Sequence, residues 1–288
     1  MKLVMTVLVR DNSDLIEHHI RYHLAQGVDF FVVTDNGSVD GSREILERFR
    51  QQGVMHIIDE PEDTFSQNVW VTRMSQYAHE TLRADWIIHS DADEFWWTEP
   101  GTLRDLFSEY GMEIEQVSAE RKNFLPSANP RAPFWEQMIY REIVSLNASG
   151  YPLPSKVAHR ARSGVVVGMG NHTIPQGFDS EIMPEPALTI FHFPYISFEQ
   201  LQTKIRLGGA ALERNTSLPP QAAYTWRELF SLYKENKLED WYQSIPKLET
   251  HGDLGVTEGK VVVDTRLRDF MMASARPHSR LAAVHNSN

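Results

Sequence analysis

Residues 3–42 read LVMTVLVRDNSDLIEHHIRYHLAQGVDFFVVTDNGSVDGS. The first seven are an unbroken apolar run of strand length, the pattern of a strand buried on both faces. Asp14, with Glu17 three residues later, predicts a capping box. Leu15, Ile16, Ile20 and Leu24 then recur at helical spacing until Gly27 supplies a stop. VDFFVVT at 28–34 is a second strand, so the segment is strand, helix, strand.

The pattern continues outward. DNGSVDGS makes a turn in which Ser38 or Asp40 is expected to cap the next helix, and Gly37 and Gly41 permit a backbone that approaches a ligand closely. Ile45, Leu46 and Phe49 mark a helix ending near Gly53, VMHIID is a third strand, and a helix from about Thr64 to Arg83 leads to the strand WIIHS at 86–90. Alternation of this kind predicts an α/β fold with a mostly parallel, Rossmann-like sheet flanked by helices. In such sheets ligands sit at the carboxyl ends of the strands. Arg10-Asp11, Asp35-Asn36 and Asp91-Ala92-Asp93 all fall there.

Beyond residue 100 the pattern loosens. A helix at 102–110, a strand at 117–124, a Pro-rich loop at 125–135, β-like pieces near 139–146, 156–167 and 187–193, and helices near 197–213 and 225–236 are expected. We divide the chain into a regular strand–helix half (1–100), a less regular half with C-terminal helices (101–275) and a flexible tail (276–288).

Composition sets limits on function. The 288 residues are 41% hydrophobic and 10% aromatic, enough for a packed core. With 39 acidic against 28 basic residues the net charge is −11, which disfavours nucleic acid as a partner. The chain has no cysteine, hence no disulfide framework and no thiolate metal site, in keeping with a cytoplasmic setting. The N-terminal MKLVMTVLVRDN meets Arg10 and Asp11 too early for a signal peptide and reads as the first core strand; no window is long and apolar enough for a transmembrane helix. The sequons at Asn147, Asn171 and Asn215 are read as chance occurrences.

Asp91 and Asp93, one residue apart at a strand end, can offer carboxylates to one hard cation, Mn²⁺ or Mg²⁺, together with the oxygens of a nucleoside diphosphate. Taken alone, a D-x-D is equally a polar turn. Its context is more specific. VLVRDNSDLIEHHIRYHLAQGVDFFVVTDNGSVDGS followed by WIIHSDADEF resembles the glycosyltransferase family 2-like group of GT-A fold, in particular the subgroup with RNE, DN.S.DGT and D.DEF motifs. Weaker points of similarity are PSKV at 154–157, GNH at 170–172 and FHFPYISFEQLQTK at 191–204.

The resemblance implies a metal-dependent transfer of sugar from a nucleotide-sugar, a UDP-sugar foremost, to a glycan, lipid-linked or small-molecule acceptor, with inversion. Asp11 and Asp35 would meet the base or ribose, and Asp91, Asp93 and His192 would hold the cation. Glu94 and Phe95 would support the pair from behind. Asp11-Asn12 departs from the subgroup's Asn-Glu. Arg10 belongs to the same cluster, and Arg73 and Lys204 are candidates to reach the diphosphate. A carboxylate or histidine must serve as general base; Glu136, His172 and Asp179 are candidates, Glu136 and His172 foremost. Trp96, Trp97 and Trp135 are candidates to stack on a sugar, against a plain packing role. The rivals are a GT-A protein that binds without turnover, and a nucleotidyltransferase, against which stands the lack of a Gly-rich loop with a following basic residue.

Overall fold

The computed structural model describes residues 1–128, 133–219, 221–248 and 259–274. The N-terminal half is built as the apolar runs dictate: β1 (Leu3–Val9), α1 (Ser13–Ala25), β2 (Phe30–Asp35), α2 (Ser42–Gln51), β3 (Met55–Asp59), α3 (Gln67–Glu80) and β4 (Trp86–Asp91). Then come β5 (Glu94–Thr98), α4 (Leu103–Glu109), β6 (Gln116–Asn123), α5 (Phe134–Gln137), β7 (Tyr140–Glu142), β8 (Lys156–Arg160) and β9 (Met183–His192). The chain continues with α6 (Phe198–Arg214), α7 (Tyr224–Lys234), α8 (Leu238–Ser244), β10 (Val261–Val263) and α9 (Arg266–Ser274).

Eight strands share one sheet in the order β3-β2-β1-β4-β8-β6-β9-β5, and β10 pairs separately with β7. The α/β class holds, and the first four strands are parallel as expected. The second half is mixed: β8 runs antiparallel to both β4 and β6, and β5 runs antiparallel to β9. The reason is local. Only Ala92 and Asp93 separate β4 from β5, too few residues for a parallel crossover. The chain turns there and β5 pairs at the far edge, Glu94 opposite His192. The ends of β4, β6 and β9 and the start of β8 therefore lie on one edge, which gathers Asp91, Asn123, His192 and Lys156.

Some local expectations are corrected. α1 is capped at Asn12, not by a box at Asp14 and Glu17, and no side chain bonds at that cap. α3 is shorter than the expected span to Arg83. The 276–288 tail and part of the Pro-rich loop lie outside the described residues. Among the described residues no helix is long and apolar enough to cross a membrane.

Beneath the site-bearing edge the core holds buried histidines as well as apolar side chains: His19, His23, His89 and His159 are all fully buried. His159 Nδ1 donates to the Arg160 carbonyl at 2.8 Å, so its Nε2 accepts from His89 Nε2 at 2.9 Å, and His89 Nδ1 accepts the Thr6 hydroxyl at 2.7 Å. This chain of bonds requires both rings to be neutral. Burial pushes His159 down to about 4 and, against the pull of Asp93 and Asp91, His19 down to about 3. His23 and His89 are likewise held well below the usual range, first by burial and then by the neighbouring histidine.

Each folded-state value lies below the ordinary 6.5, so between that value and the folded one the unfolded chain binds more protons. The histidines' contribution to stability is present above pH 6.5 and is lost on acidification, by roughly 1.4 kcal/mol per histidine per pH unit. Denaturant titrations should give a clearly lower unfolding free energy at pH 5.5 than at pH 7.5, and a flat profile over that range would refute neutral burial of this cluster.

Candidate active site

Two loops form one wall of the site. Asp11 adopts a left-handed backbone (φ 51°), which turns the chain sharply after β1. Its Oδ1 accepts from Val39 N at 2.7 Å, and its own N–H donates to Ser38 Oγ at 3.1 Å. Asn12 N and Ser13 N bond to Ser42 Oγ and Asp40 Oδ2, both at 2.8 Å. Ser38 and Asp40 thus stitch the β2–α2 loop to the β1–α1 loop; Asp40 also takes the Ser42 N–H at 2.9 Å, while the N-cap itself is Gly41. Gly37 and Gly41 have φ of 69° and 100°, as the loop demands.

Asp35 is 5% exposed, with Ser38 N on Oδ1 at 3.1 Å and Arg43 Nη1 on Oδ2 at 3.3 Å. Arg10 Nη1 lies 2.5 Å from Asp63 and 3.3 Å from Asn36 Oδ1. Arg73 is occupied by the buried Glu60 at 2.8 Å, just beyond β3.

Beside this wall on the same sheet edge is the acidic turn, with Asp91 opposite Leu8 in the register of β1 and β4. Asp91 Oδ2 accepts from Lys156 Nζ at 2.5 Å, and its Oδ1 from Gln67 Nε2 at 3.3 Å. Glu94 is fully buried; Lys156 stands 3.2 Å and Arg121 3.4 Å from its Oε1, while its Oε2 accepts the Asp91 N–H at 3.2 Å. Asp93 Oδ2 accepts from Lys204 Nζ at 2.6 Å. Three carboxylates within four residues thus face three cations drawn from β8, β6 and α6. Burial raises the Asp93 carboxyl, but Lys204, with His192 and Lys156, outweighs it and holds the group well below the usual carboxylate range. For Asp91, too, Lys156 overcomes burial. Glu94 goes the other way: burial and the adjacent Asp91 push it up to about 7 despite Lys156.

His192 Nδ1 bonds to Asn123 Oδ1 at 2.7 Å and must be the donor, which leaves a lone pair on Nε2, 3.9 Å from Asp93 Oδ2. Burial holds the ring neutral, with a value of about 3. Two acceptors facing each other beside an ammonium form a donor set that suits a cation. Among the described residues, however, no group of three such side chains stands ready to hold a metal ion.

His172 also belongs to this cluster. Its Nδ1 donates to the Ser155 carbonyl at 2.8 Å, leaving Nε2 as the acceptor. Burial, then Lys156 and Arg121, push it down to about 3. Gly170 makes room for the ring, since a Cβ there would lie 2.5 Å from Nε2. Glu136 is on α5, and among the described residues no hydrogen bond or ion pair joins it to Asp91, Asp93 or His192. Asp179 is exposed on a loop. Trp96, Trp97 and Trp135 are all buried, so the packing role holds for them and sugar stacking does not. The residues that sequence reasoning left without a role are Lys156, Arg121 and Asn123. The PSKV stretch was a signal for the first; the other two sit in a strand whose polar side chains resemble any solvated face.

The model of glycosyltransferase family 92 matches residues 6–243. No curated protein matches the sequence. Among solved structures, S. aureus TarS is similar at a TM-score of 0.43 and 11% identity over 82% of this chain and 43% of that one, so this chain spans less than half the length of TarS. TarS 1–349 in complex with UDP-GlcNAc gives a TM-score of 0.42 and 10% identity, over 84% of this chain and 90% of that one. Glucosyl-3-phosphoglycerate synthase from Mycobacterium tuberculosis gives 0.37 and 13%, over 76% and 81%. At such scores these likenesses carry no functional weight. The resemblance drawn from the motifs is met at the level of a glycosyltransferase, and the family found is 92.

Lys156, 1% exposed, is the buried counter-charge for two carboxylates. Replacing it by Met should cost about 3–5 kcal/mol, because the buried Glu94 and the half-buried Asp91 lose their partner. The loss should be greater at pH 8 than at pH 6: without the ammonium Glu94 folds protonated, while the unfolded chain releases that proton, so stability falls as pH rises. Adding Glu94→Gln should restore part of it. Urea titrations of the single and double variants check both points.

Proposed function

The chain belongs to glycosyltransferase family 92, and on that premise we propose that it transfers a sugar from a UDP-sugar to an acceptor hydroxyl with inversion of configuration. The observation that carries this reading is the meeting, at one sheet edge, of the Asp11–Asp35 wall with the Asp91, Asp93, His192 and Lys204 cluster. The first wall offers carboxylates and backbone groups to a base and ribose. The second offers charge to a diphosphate.

A divalent cation, Mn²⁺ or Mg²⁺, would be held by Asp93 and His192 with Asp91 beside them, and when bound it supplies neutralisation of charge on a departing diphosphate. The chain's own contribution is positional. Asn123 fixes the His192 tautomer, so that Nε2 always presents its lone pair. Lys204 holds Asp93 in the ligand-free chain and, on its flexible stem, can turn to the diphosphate as a point charge. Arg10, paired with Asp63, and Arg73, paired with the buried Glu60, would have to exchange those partners to reach a diphosphate.

For the acceptor proton, His172 is favoured over Glu136 because it shares the electrostatic environment of Lys156, Arg121 and Asp91. It is neutral with Nε2 free to accept. An arriving anionic donor raises its proton affinity toward the range useful in catalysis.

UDP with Mn²⁺ should raise the melting temperature, and the Asp91→Ala/Asp93→Ala double variant should lose that shift while remaining folded. Absence of a shift with every nucleoside diphosphate tested would return the acidic turn to a structural role. A panel of UDP-sugars should then be assayed for turnover, since a binding protein without catalysis would bind donor and release no UDP.

His172→Gln should lower kcat by about 10²–10⁴-fold, the usual contribution of a general base. The KM for the donor should stay within a few-fold. An unchanged kcat would remove His172 from the chemistry and bring Glu136 forward as the next variant to assay.

A further inference from the structure

The tryptophans that the sequence suggested for stacking on sugars are buried, but two tyrosines elsewhere are not. Tyr151 is 61% exposed and Tyr224 42% exposed. Their rings meet edge to face, with centroids 5.9 Å apart and planes inclined at 83°. They and Gln221 line a shallow surface cleft that is largely open to solvent. Two rings are far too small a patch for a stable protein interface, which takes roughly 800 Å² per partner.

The platform is built, not incidental. Asn147 organises the loop: its Oδ1 accepts from Ser149 N and Tyr151 N, both at 3.0 Å, its N–H donates to the Tyr151 carbonyl at 2.8 Å, and its Nδ2 donates to Tyr224 Oη at 2.7 Å. Ser149 Oγ bonds to Glu228 of α7, a second tie between loop and helix. Tyr224 opens α7 directly after Ala223, a non-glycine residue held at φ 54°. Tyr224 is therefore held through its hydroxyl and Tyr151 through its backbone, both partly exposed, so less conformational freedom remains to be lost on binding.

The platform is also tied to the candidate active site from two directions. The Leu146 carbonyl, next to Asn147, accepts from Asn123 Nδ2 at 2.8 Å, and Asn123 Oδ1 holds His192 at 2.7 Å. On α7, two residues past Tyr224, the Trp226 ring lies 5.7 Å from the Lys204 ammonium that pairs with Asp93.

We propose that Tyr151 and Tyr224, with the amide of Gln221, form an acceptor subsite that takes a pyranose ring of an oligosaccharide. A sugar's C–H face covers an aromatic ring, and its hydroxyls need amide and phenol partners at the rim; the cleft supplies both. This deepens the proposed glycosyl transfer, and rests on it, by naming the acceptor as a glycan.

The test is saturation-transfer NMR on the full chain with cellotriose, chitotriose, mannotriose and maltotriose, run beside the UDP melting shift. At least one trisaccharide should receive saturation from the wild type. Transfer should fall more than fivefold in the Tyr151→Ala/Tyr224→Ala variant and persist in Tyr151→Phe, with unchanged melting curves and unchanged UDP shifts in both. No transfer to any of the four, or equal transfer in the double alanine variant, overturns the subsite. A wild type that binds a trisaccharide through these tyrosines but gives no shift with UDP would overturn the donor reading and leave the subsite standing.

Discussion

Three carboxylates in four residues cannot be buried at a strand end without counter-charge, and the rest of the molecule is arranged around that constraint. Asp91, Asp93 and Glu94 are matched by Lys156 on β8, Arg121 on β6 and Lys204 on α6. Leaving any one acid unpaired in such a setting costs several kcal/mol. The acidic turn therefore forms stably only when segments 27, 65 and 111 residues away in the chain have docked against it. This also accounts for the mixed half of the sheet: β8 must run antiparallel for its first residue, Lys156, to reach the edge where β4 ends. Buried ion pairs gain little over apolar packing of the same volume. A cluster this dense is better understood by what it can exchange than by what it stabilises.

The three cations are not equivalent in that exchange. Lys156 is enclosed and shared between two acids. Arg121 donates at once to Glu94 and to the Pro154 carbonyl, so it braces the loop that leads into β8. Lys204 is 26% exposed at its side chain and serves Asp93, which His192 also faces with a lone pair. On the proposed reading Lys156 and Arg121 are fixed framework, and Lys204 is the ammonium free to trade one anion for another. Asn123 connects this machinery to the acceptor side, because one amide orients His192 with its oxygen and holds the Leu146 carbonyl with its nitrogen.

The fold was legible where apolar runs alternate with turns. LVMTVLV, VDFFVVT, VMHIID and WIIHS became β1 to β4 because parallel strands covered on both faces need continuous apolar sequence. EFWWT was not recognised as a strand, since it follows β4 after only two residues and its role depends on pairing with β9, nearly a hundred residues on. The carboxylates were legible through their context, a strand end followed and preceded by matching motifs, and not through the D-x-D alone. Of their partners Lys204 was named and PSKV pointed toward Lys156, but Arg121 looks in sequence like any solvated basic residue, and only tertiary docking pairs it with Glu94. His192 and His172 were flagged by resemblance; their tautomers and depressed proton affinities come from Asn123, Ser155 and burial, none of which local sequence encodes.

The aromatic residues show the same limit from the other side. Trp96 and Trp97 drew attention because they follow the acidic cluster, yet adjacency in sequence placed them in β5, where both side chains are buried. Tyr151 and Tyr224 carry no motif, and what distinguishes them is surface placement by Asn147, which holds the Tyr224 hydroxyl and the Tyr151 backbone. Net charge misleads in a similar way. A total of −11 repels an anionic donor at long range, but at physiological salt that repulsion is largely screened beyond roughly 8 Å. On the proposed reading, what a diphosphate would meet at the edge of the sheet is a local balance of three acids and three bases, in which the Lys204 ammonium decides the sign.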